Sequence, residues 1–276
     1  MKKFTILAFL SVILFFTAEG LINPQTDFPA SAPAPVQKSL RRIKNEAFKP
    51  GEKLTFRLHY GLLSAGEGTL EVMRDNSSFG GRPCYHVVGT GQSVGAFSWF
   101  FKVRDKYEST IDSEALIPWY FVRRVNEGGY IINQNVTFNH YMDSATSEKK
   151  TIYIPPNTQD IVSAFYYART IDFSNAKEGQ IFEIQGYIDD ELFPLNIKYV
   201  GRETVDSKKG EFRCIKFHPM LLKGRVFKES EDMTVWVSDD KNHIPVRVQT
   251  DILIGSIKMD LVDFENLANP PALIPE

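Results

Sequence analysis

The stretch Phe97–Arg124, FSWFFKVRDKYESTIDSEALIPWYFVRR, decides the fold. Four aromatics in five residues open it: Phe97, Trp99, Phe100 and Phe101. From Lys102 to Ile111 the chain alternates. Val103, Asp105, Tyr107, Ser109 and Ile111 fall on one side, and Arg104, Lys106, Glu108 and Thr110 on the other. A period of two marks a strand with one covered face. Asp112 to Pro118 reads as a turn and Trp119 to Asn126 as the returning strand, so the stretch predicts the central hairpin of a β-rich protein.

Working outward, Leu54, Phe56, Leu58 and Tyr60 alternate with Thr55, Arg57 and His59, a strand that opens the folded domain just after Pro50-Gly51. Further strands are expected at 69–73, 83–90, 130–139 and 148–154, with turn chemistry at 75–81 and at Gly128-Gly129. The last third repeats the pattern at 180–186, 193–201, 212–218, 233–238, 244–250 and 252–264. Asn157–Arg169, NTQDIVSAFYYAR, is the one clear helix. Asn157 or Thr158 is its expected N-cap, Asp160 suits the positive end of the helix dipole, and Ile161, Ala164, Phe165 and Ala168 form a stripe that packs on the sheet. The 21 Phe and 11 Tyr favour strands.

Phe4 to Phe16 is an apolar run behind Lys2 and Lys3, and Ala18-Glu19-Gly20 offers small residues for cleavage. This predicts a signal peptide over residues 1–20 rather than an anchor, because a spanning helix needs about 20 apolar residues. Residues 21–49, with Pro24, Pro29, Pro33 and Pro35, read as a Pro/Ala-rich linker. Residues 50–267 form a single domain, and 268–276 a loose tail. Without Lys2, Lys3 and Glu19 the charged residues fall from 32 to 30 basic and from 34 to 33 acidic, a net charge near −3. That argues against nucleic-acid binding, which needs a basic surface. Cys84 and Cys214, if joined, would stabilise by about 4–5 kcal/mol on the chain-entropy account. Their similar places in two different hairpins favour separate thiols instead.

No nucleophile elbow, His-Glu-x-x-His, phosphate loop or Cys-x-x-Cys is present. The five His are scattered, so neither a metal nor a cofactor is expected. Asp105 and Glu108 point to opposite faces of one strand. Together with Arg104, Asp112, Arg123 and Arg124 they are expected to form a structural charge network, an inward carboxylate pairing with an Arg on the returning strand. The aromatics 97–101 admit three readings: core, the lining of a cavity for an apolar ligand, or an exposed patch for a membrane or partner.

The runs VRDKYESTID (103–112) and QDIVSAFYYAR (159–169), with GEKLTFRLHYG (51–61) and GEFRCIKFHP (210–219), resemble the exported bacterial domain-of-unknown-function 3108 family over roughly 50–267. The resemblance implies a periplasmic or otherwise exported, mainly β protein of a Gram-negative bacterium, with no established activity. More remotely, the arrangement is similar to the Lol-type periplasmic lipoprotein carriers, a likeness of fold that does not itself give function.

These readings predict an all-β, mainly antiparallel protein of about 11 to 14 strands. Its strongly curved sheet forms an open or incomplete barrel with the 157–169 helix on the concave side; a flat sandwich is the alternative. The function expected first is a binding module for a lipid, acyl chain or lipoprotein, with Phe97, Trp99, Phe100, Phe101, Phe165 and Tyr166 lining the apolar site. A structural or interaction protein of the cell envelope comes second. An enzyme acting on cell-wall polysaccharide through carboxylates such as Asp105 and Asp112 comes last.

Overall fold

The computed structural model describes residues 38–61, 63–220, 233–251 and 256–275. The expected signal peptide, linker residues 21–37, the start of the strand expected at 252–264 and the final residue lie outside them. The first strands are β1 (Lys53–Tyr60), β2 (Leu63–Val72), β3 (Ser78–Phe79), β4 (Arg82–Ser93), β5 (Arg104–Asp112) and β6 (Pro118–Glu127). Then come β7 (Tyr130–Asn139), β8 (Ser144–Ser147), β9 (Thr151–Tyr153), β10 (Ile181–Ile188) and β11 (Glu191–Ser207). The last are β12 (Gly210–Pro219), β13 (Met233–Ser238), β14 (Pro245–Asp251) and β15 (Ser256–Glu265). Two helices interrupt them, α1 (Phe97–Phe100) and α2 (Ile161–Ala168).

One antiparallel sheet runs in the order β10-β11-β12-β13-β14-β15-β1-β2-β4-β5-β6-β7-β8-β9, with β3 paired only to β4. The 15 strands among the described residues exceed the 11 to 14 expected because β3 and β8, of two and four residues, are too short to show a period in sequence. The first and last strands pair in the middle of the sheet, so its two edges are β9 and β10, consecutive in the chain. Between those edges the sheet is not closed. Gln159 partly covers the seam: its N–H donates to the Gln185 carbonyl (2.8 Å) and its carbonyl accepts from Tyr187 N–H (2.8 Å). A covered edge offers fewer free backbone groups to other chains.

Alternation along each strand decides which side chains meet. Leu54, Phe56 and Leu58 of β1 share one core with Tyr107 and Ile111 of β5, Val136 and Phe138 of β7, and Phe212 of β12. Strands far apart in one continuous sheet therefore bury a common interior, which is the open barrel and not the sandwich. Ile161, Val162 and Tyr166 of α2 belong to the same core, so the helix lies on the concave face. A small second cluster of Phe173, Tyr199, Ile215, Phe217 and Val237 covers the outer face of β11–β13. Cys84 and Cys214 are both free thiols.

Three expectations are corrected. The helix begins at Ile161, not Asn157, because Gln159 is held extended against β10 and Asn157 has φ +65°. Asp160 is the N-cap, its Oδ1 accepting from Val162 N–H (2.7 Å) and Ser163 N–H (2.8 Å). Residues 38–49 are part of the folded body: Arg41 donates to the carbonyls of Ala115 (2.8 Å) and Leu116 (2.9 Å), and Ala47 and Phe48 are buried. The tail is docked, since Arg213 N–H donates to the Ala272 carbonyl (3.0 Å) and Ile274 N–H to that of Glu211 (2.8 Å).

Candidate functional site

Because successive strands alternate in direction, the β1–β2, β4–β5 and β6–β7 connections emerge at one end of the barrel. Residues 38–52, α2 and the tail close the other. The β4–β5 connection carries the aromatic segment. Gly95 at φ +57° turns the chain out of β4, and Ser98 caps the turn by donating from Oγ to the Gly95 carbonyl (2.7 Å). Phe101 N–H then closes one helical turn on the Phe97 carbonyl (2.9 Å).

One turn of helix sorts the four aromatics. Residues four apart share a face, so Phe97 and Phe101 point back toward the barrel. Phe97 packs on the core, and the Phe101 ring covers Gly128 so closely that a Cβ there would meet it at 2.5 Å. Trp99 and Phe100 are left on the other side, 86% and 87% exposed. Leu63 at the start of β2 and Tyr130 and Ile131 at the start of β7 are also exposed at this end. The result is an aromatic tip on an apolar rim.

Below the tip, the outer face of β1, β2, β4, β5, β6 and β7 forms a groove of about 480 Å³. Arg104, Lys106, Arg124, Gln92, Asn126 and Asn133 are among the side chains that line it. Glu108, on the same outer face, binds Lys106 (2.8 Å) and His86 (3.0 Å). Burial would raise the Glu108 pKa, but these two partners outweigh it and hold the carboxyl below its usual range.

The six charges expected to form one network are divided by the strand period. Arg104, Glu108 and Arg124 face out, Asp105 and Arg123 face in, and Asp112 closes β5 on the parity of Arg104 and Glu108, buried at its end. Asp112 is fully buried under Arg82, and Trp119 Nε1 donates to its Oδ2 (3.0 Å). Burial opposes the charge, yet Arg82 and the N–H groups of Ala115 and Glu114 keep the Asp112 pKa low. Arg123 pairs with Asp189, not with Asp105. Asp105 accepts from Asn126 N–H (3.1 Å) and hydrogen-bonds Glu127, and burial pushes its pKa up. Beside it, Tyr107 OH, Arg123 Nε and Gln134 Oε1 are buried with no hydrogen-bond partner. Tyr107 pairs directly with Arg123, and Arg123 with Gln134, across β5, β6 and β7.

A carboxylate glycosidase needs its two groups about 5–9.5 Å apart across an open cleft. Asp105 and Asp112 lie seven residues apart on β5, roughly 23 Å along an extended strand. Both are closed from solvent, so they do not form such a pair. No group of three or more His, Cys, Asp or Glu among the described residues is placed to hold a metal.

The six side chains expected to line one apolar site do not meet. Phe97, Trp99, Phe100 and Phe101 are at the tip, and the length of β5 separates them from α2. There Tyr166 is fully buried edge-on against Phe48 (4.7 Å), with Phe165 beside it (5.3 Å). The cavity beside α2, about 380 Å³, is lined instead by polar groups such as Arg41, Asn157, Glu183, Gln185 and Asn196, with Tyr167. Sequence reasoning missed the outer groove because its residues come from six strands and are joined only by register. The alternation of Arg104 and Lys106 was the visible signal.

These features define a β-barrel-like protein with a helix-plugged end and an aromatic rim. The chain belongs to the DUF3108 family, described as a protein of unknown function, which matches it over residues 55–262. No curated protein matches its sequence. Among solved structures, it is similar to a β-barrel-like protein of the DUF1849 family from Brucella abortus (TM-score 0.49, 9% identity, covering 78% of this chain and 96% of that one). A DUF1089-family protein from Pseudomonas aeruginosa gives 0.38 at 11% identity, over 68% and 90% of the two chains. A Bacteroides fragilis protein described as exported, with a YmcC-like fold, gives 0.31 at 11% identity, over 83% and 100%. No helix among the described residues is long and apolar enough to cross a membrane.

Proposed function

We propose that this protein is an exported binding module of the bacterial envelope that docks on an apolar lipid surface through its aromatic tip. The observation that carries the reading is the exposure of Trp99 and Phe100, 86% and 87%, on a helical turn anchored from behind by Phe97 and Phe101. Large rings held in water are costly unless something covers them. Each ring offers about 150–250 Å². At about 25 cal/mol per Å², the two supply roughly 7–13 kcal/mol before the costs of association are subtracted. The apolar run at the N-terminus supports export.

Trp99 reports on its own docking. It is one of three Trp, and Trp119 is buried. Adding phosphatidylcholine vesicles to the mature chain is expected to shift Trp emission to the blue, and brominated lipid is expected to quench it. Trp99→Ala/Phe100→Ala is expected to abolish co-sedimentation with vesicles while the far-UV spectrum stays unchanged. Wild-type protein that stays in the supernatant at every lipid concentration would refute the reading. Retained binding to an envelope protein in that case moves the tip to the interaction-protein alternative.

A further inference from the structure

The groove beneath the tip is positively charged once its ion pairs are subtracted. Glu67, its one lining carboxylate besides the inward Asp105, is taken by Arg57 (2.7 Å). Lys106 is neutralised by Glu108 (2.8 Å). That leaves two guanidinium groups. Arg104 is exposed and makes no ion pair among the described residues. Arg124 is held by neutral acceptors only: Nη2 donates to Asn135 Oδ1 (2.6 Å), and Nη1 to the carbonyls of Gln134 (2.8 Å) and Arg123 (3.0 Å). These bonds orient the fork and leave its charge uncompensated. The amides of Gln92, Asn126 and Asn133 fill the rest of the polar lining and bring no charge.

Register places Arg104 and Arg124 on one face of the sheet. Lys106 pairs with Arg124 across β5 and β6, so Arg104, two residues along on the same face, is its diagonal neighbour. Diagonal positions lie about 7–8 Å apart, within reach of long side chains. Two guanidinium groups lining one groove suit an anionic phosphate, to which a guanidinium can offer parallel N–H donors. Arg104 follows Phe100 by only four residues, roughly 13 Å of chain at most. A tip seated in the acyl boundary therefore holds the groove at the level of the headgroups.

We propose that this groove takes the phosphate of an anionic phospholipid between Arg104 and Arg124, so that the docked protein selects anionic over zwitterionic membrane. The inference rests on the docking reading above and adds the chemistry of the lipid to it. Basic residues near an anionic surface strengthen binding by about fivefold each, so the two together predict roughly a 25-fold gain.

The test titrates the mature protein with vesicles of phosphatidylcholine alone and of phosphatidylcholine mixed with phosphatidylglycerol, reading Trp emission and co-sedimentation. The mixed vesicles are expected to bind more tightly by the stated factor. Arg104→Gln/Arg124→Gln is expected to erase the difference between the two vesicle types. The exposed single variant Arg104→Gln removes about half of the gain on a logarithmic scale and tests the groove even if the double variant fails to fold. Lys106→Gln is expected to change it little. Equal wild-type binding to both vesicle types overturns this inference and leaves the docking reading standing. Binding to neither type overturns the docking reading, and this inference with it. Free glycerol phosphate that competes the mixed vesicles off at modest concentration would assign the groove to a soluble phosphate ester and overturn the lipid assignment.

Discussion

Arg169 follows α2 as its C-cap residue and is fully enclosed. Its Nη1 and Nη2 donate to the two oxygens of Glu52 (2.6 and 2.8 Å), its Nε to the Asn242 carbonyl (2.8 Å) and its Nη2 also to that of Ala47 (3.2 Å). The guanidinium also lies over the rings of Tyr166 (5.1 Å) and Phe48 (5.4 Å). Burial works against the charge, but Glu52 outweighs it and raises the Arg169 pKa. One side chain thus ties the N-terminal segment, the helix and the β13–β14 loop into the plug at the closed end. Replacing it with Met leaves the Glu52 carboxylate buried without a cation, a change that costs about 3–5 kcal/mol. At about 2–4 °C per kcal/mol for a domain of this size, Tm should fall by roughly 6–20 °C. Glu52→Leu alone should cost a similar amount, because it strands the cation. Glu52→Leu together with Arg169→Met should recover most of the loss, since an apolar pair of similar volume needs no desolvated charge. Urea unfolding of the four proteins gives the coupling energy, the sum of the two single losses minus that of the double, expected to exceed about 3 kcal/mol. Single variants that each cost under about 1 kcal/mol, or a double variant whose loss equals the sum of the two, would show that the enclosed pair is not what holds the plug.

Other outcomes follow from the same geometry. Asp160, wholly buried, has its pKa pushed up to about 6 by burial, despite hydrogen bonds from Ser109, Ser163 and Val162. A folded-state value above the unfolded one means stability that is complete below about pH 4 and lost as pH rises to about 6, some 3 kcal/mol in all. Asp160→Asn keeps the capping oxygen and should flatten that part of a stability–pH curve measured by urea unfolding. Asp105 is shifted in the same direction by burial, so Asp105→Asn should remove a second, similarly signed slope, whereas an unchanged curve would mean that burial does not raise the Asp105 pKa. Gly128→Ala places a methyl at 2.5 Å from the Phe101 ring at φ +57°. It should cost about 1–2 kcal/mol in backbone strain and should speed proteolysis within 94–103 as the tip loses its anchor.

Inner and outer faces were legible wherever the period of two was clean. Alternation alone puts Asp105 and Tyr107 on one side of β5 and Arg104 and Glu108 on the other, as the burial along the strand has them. Alternation does not say which strand lies next door, and so the partners were missed: Arg123 answers Asp189 from the β10–β11 turn, and Asp112 answers Arg82 from β4. Composition does not divide the four aromatics of the tip. Their division into Phe97 and Phe101 behind, Trp99 and Phe100 in front, follows from a single helical turn between two strands. Asn157 and Thr158 are good caps locally, but the backbone of Gln159 is bound to β10 at Gly186, 27 residues later, so α2 starts beyond them. Residues 38–49 looked like linker because their burial depends on Arg169, Tyr85 and Leu116, all distant in the chain.

The sequence by itself determined the class of structure. Alternating apolar residues can bury one face only as strands, and a helical stripe of eight residues needs a sheet to cover it. It also determined the chemistry on offer, an aromatic run beside a charged strand and no nucleophile motif. What the tertiary structure alone decided was which of these groups are exposed and which are paired. Exposure and pairing depend on register between strands, and register is set by hydrogen bonds and packing among residues far apart in the chain. Hence two rings out of four face solvent, and two guanidinium groups of the groove stand without a carboxylate among the described residues.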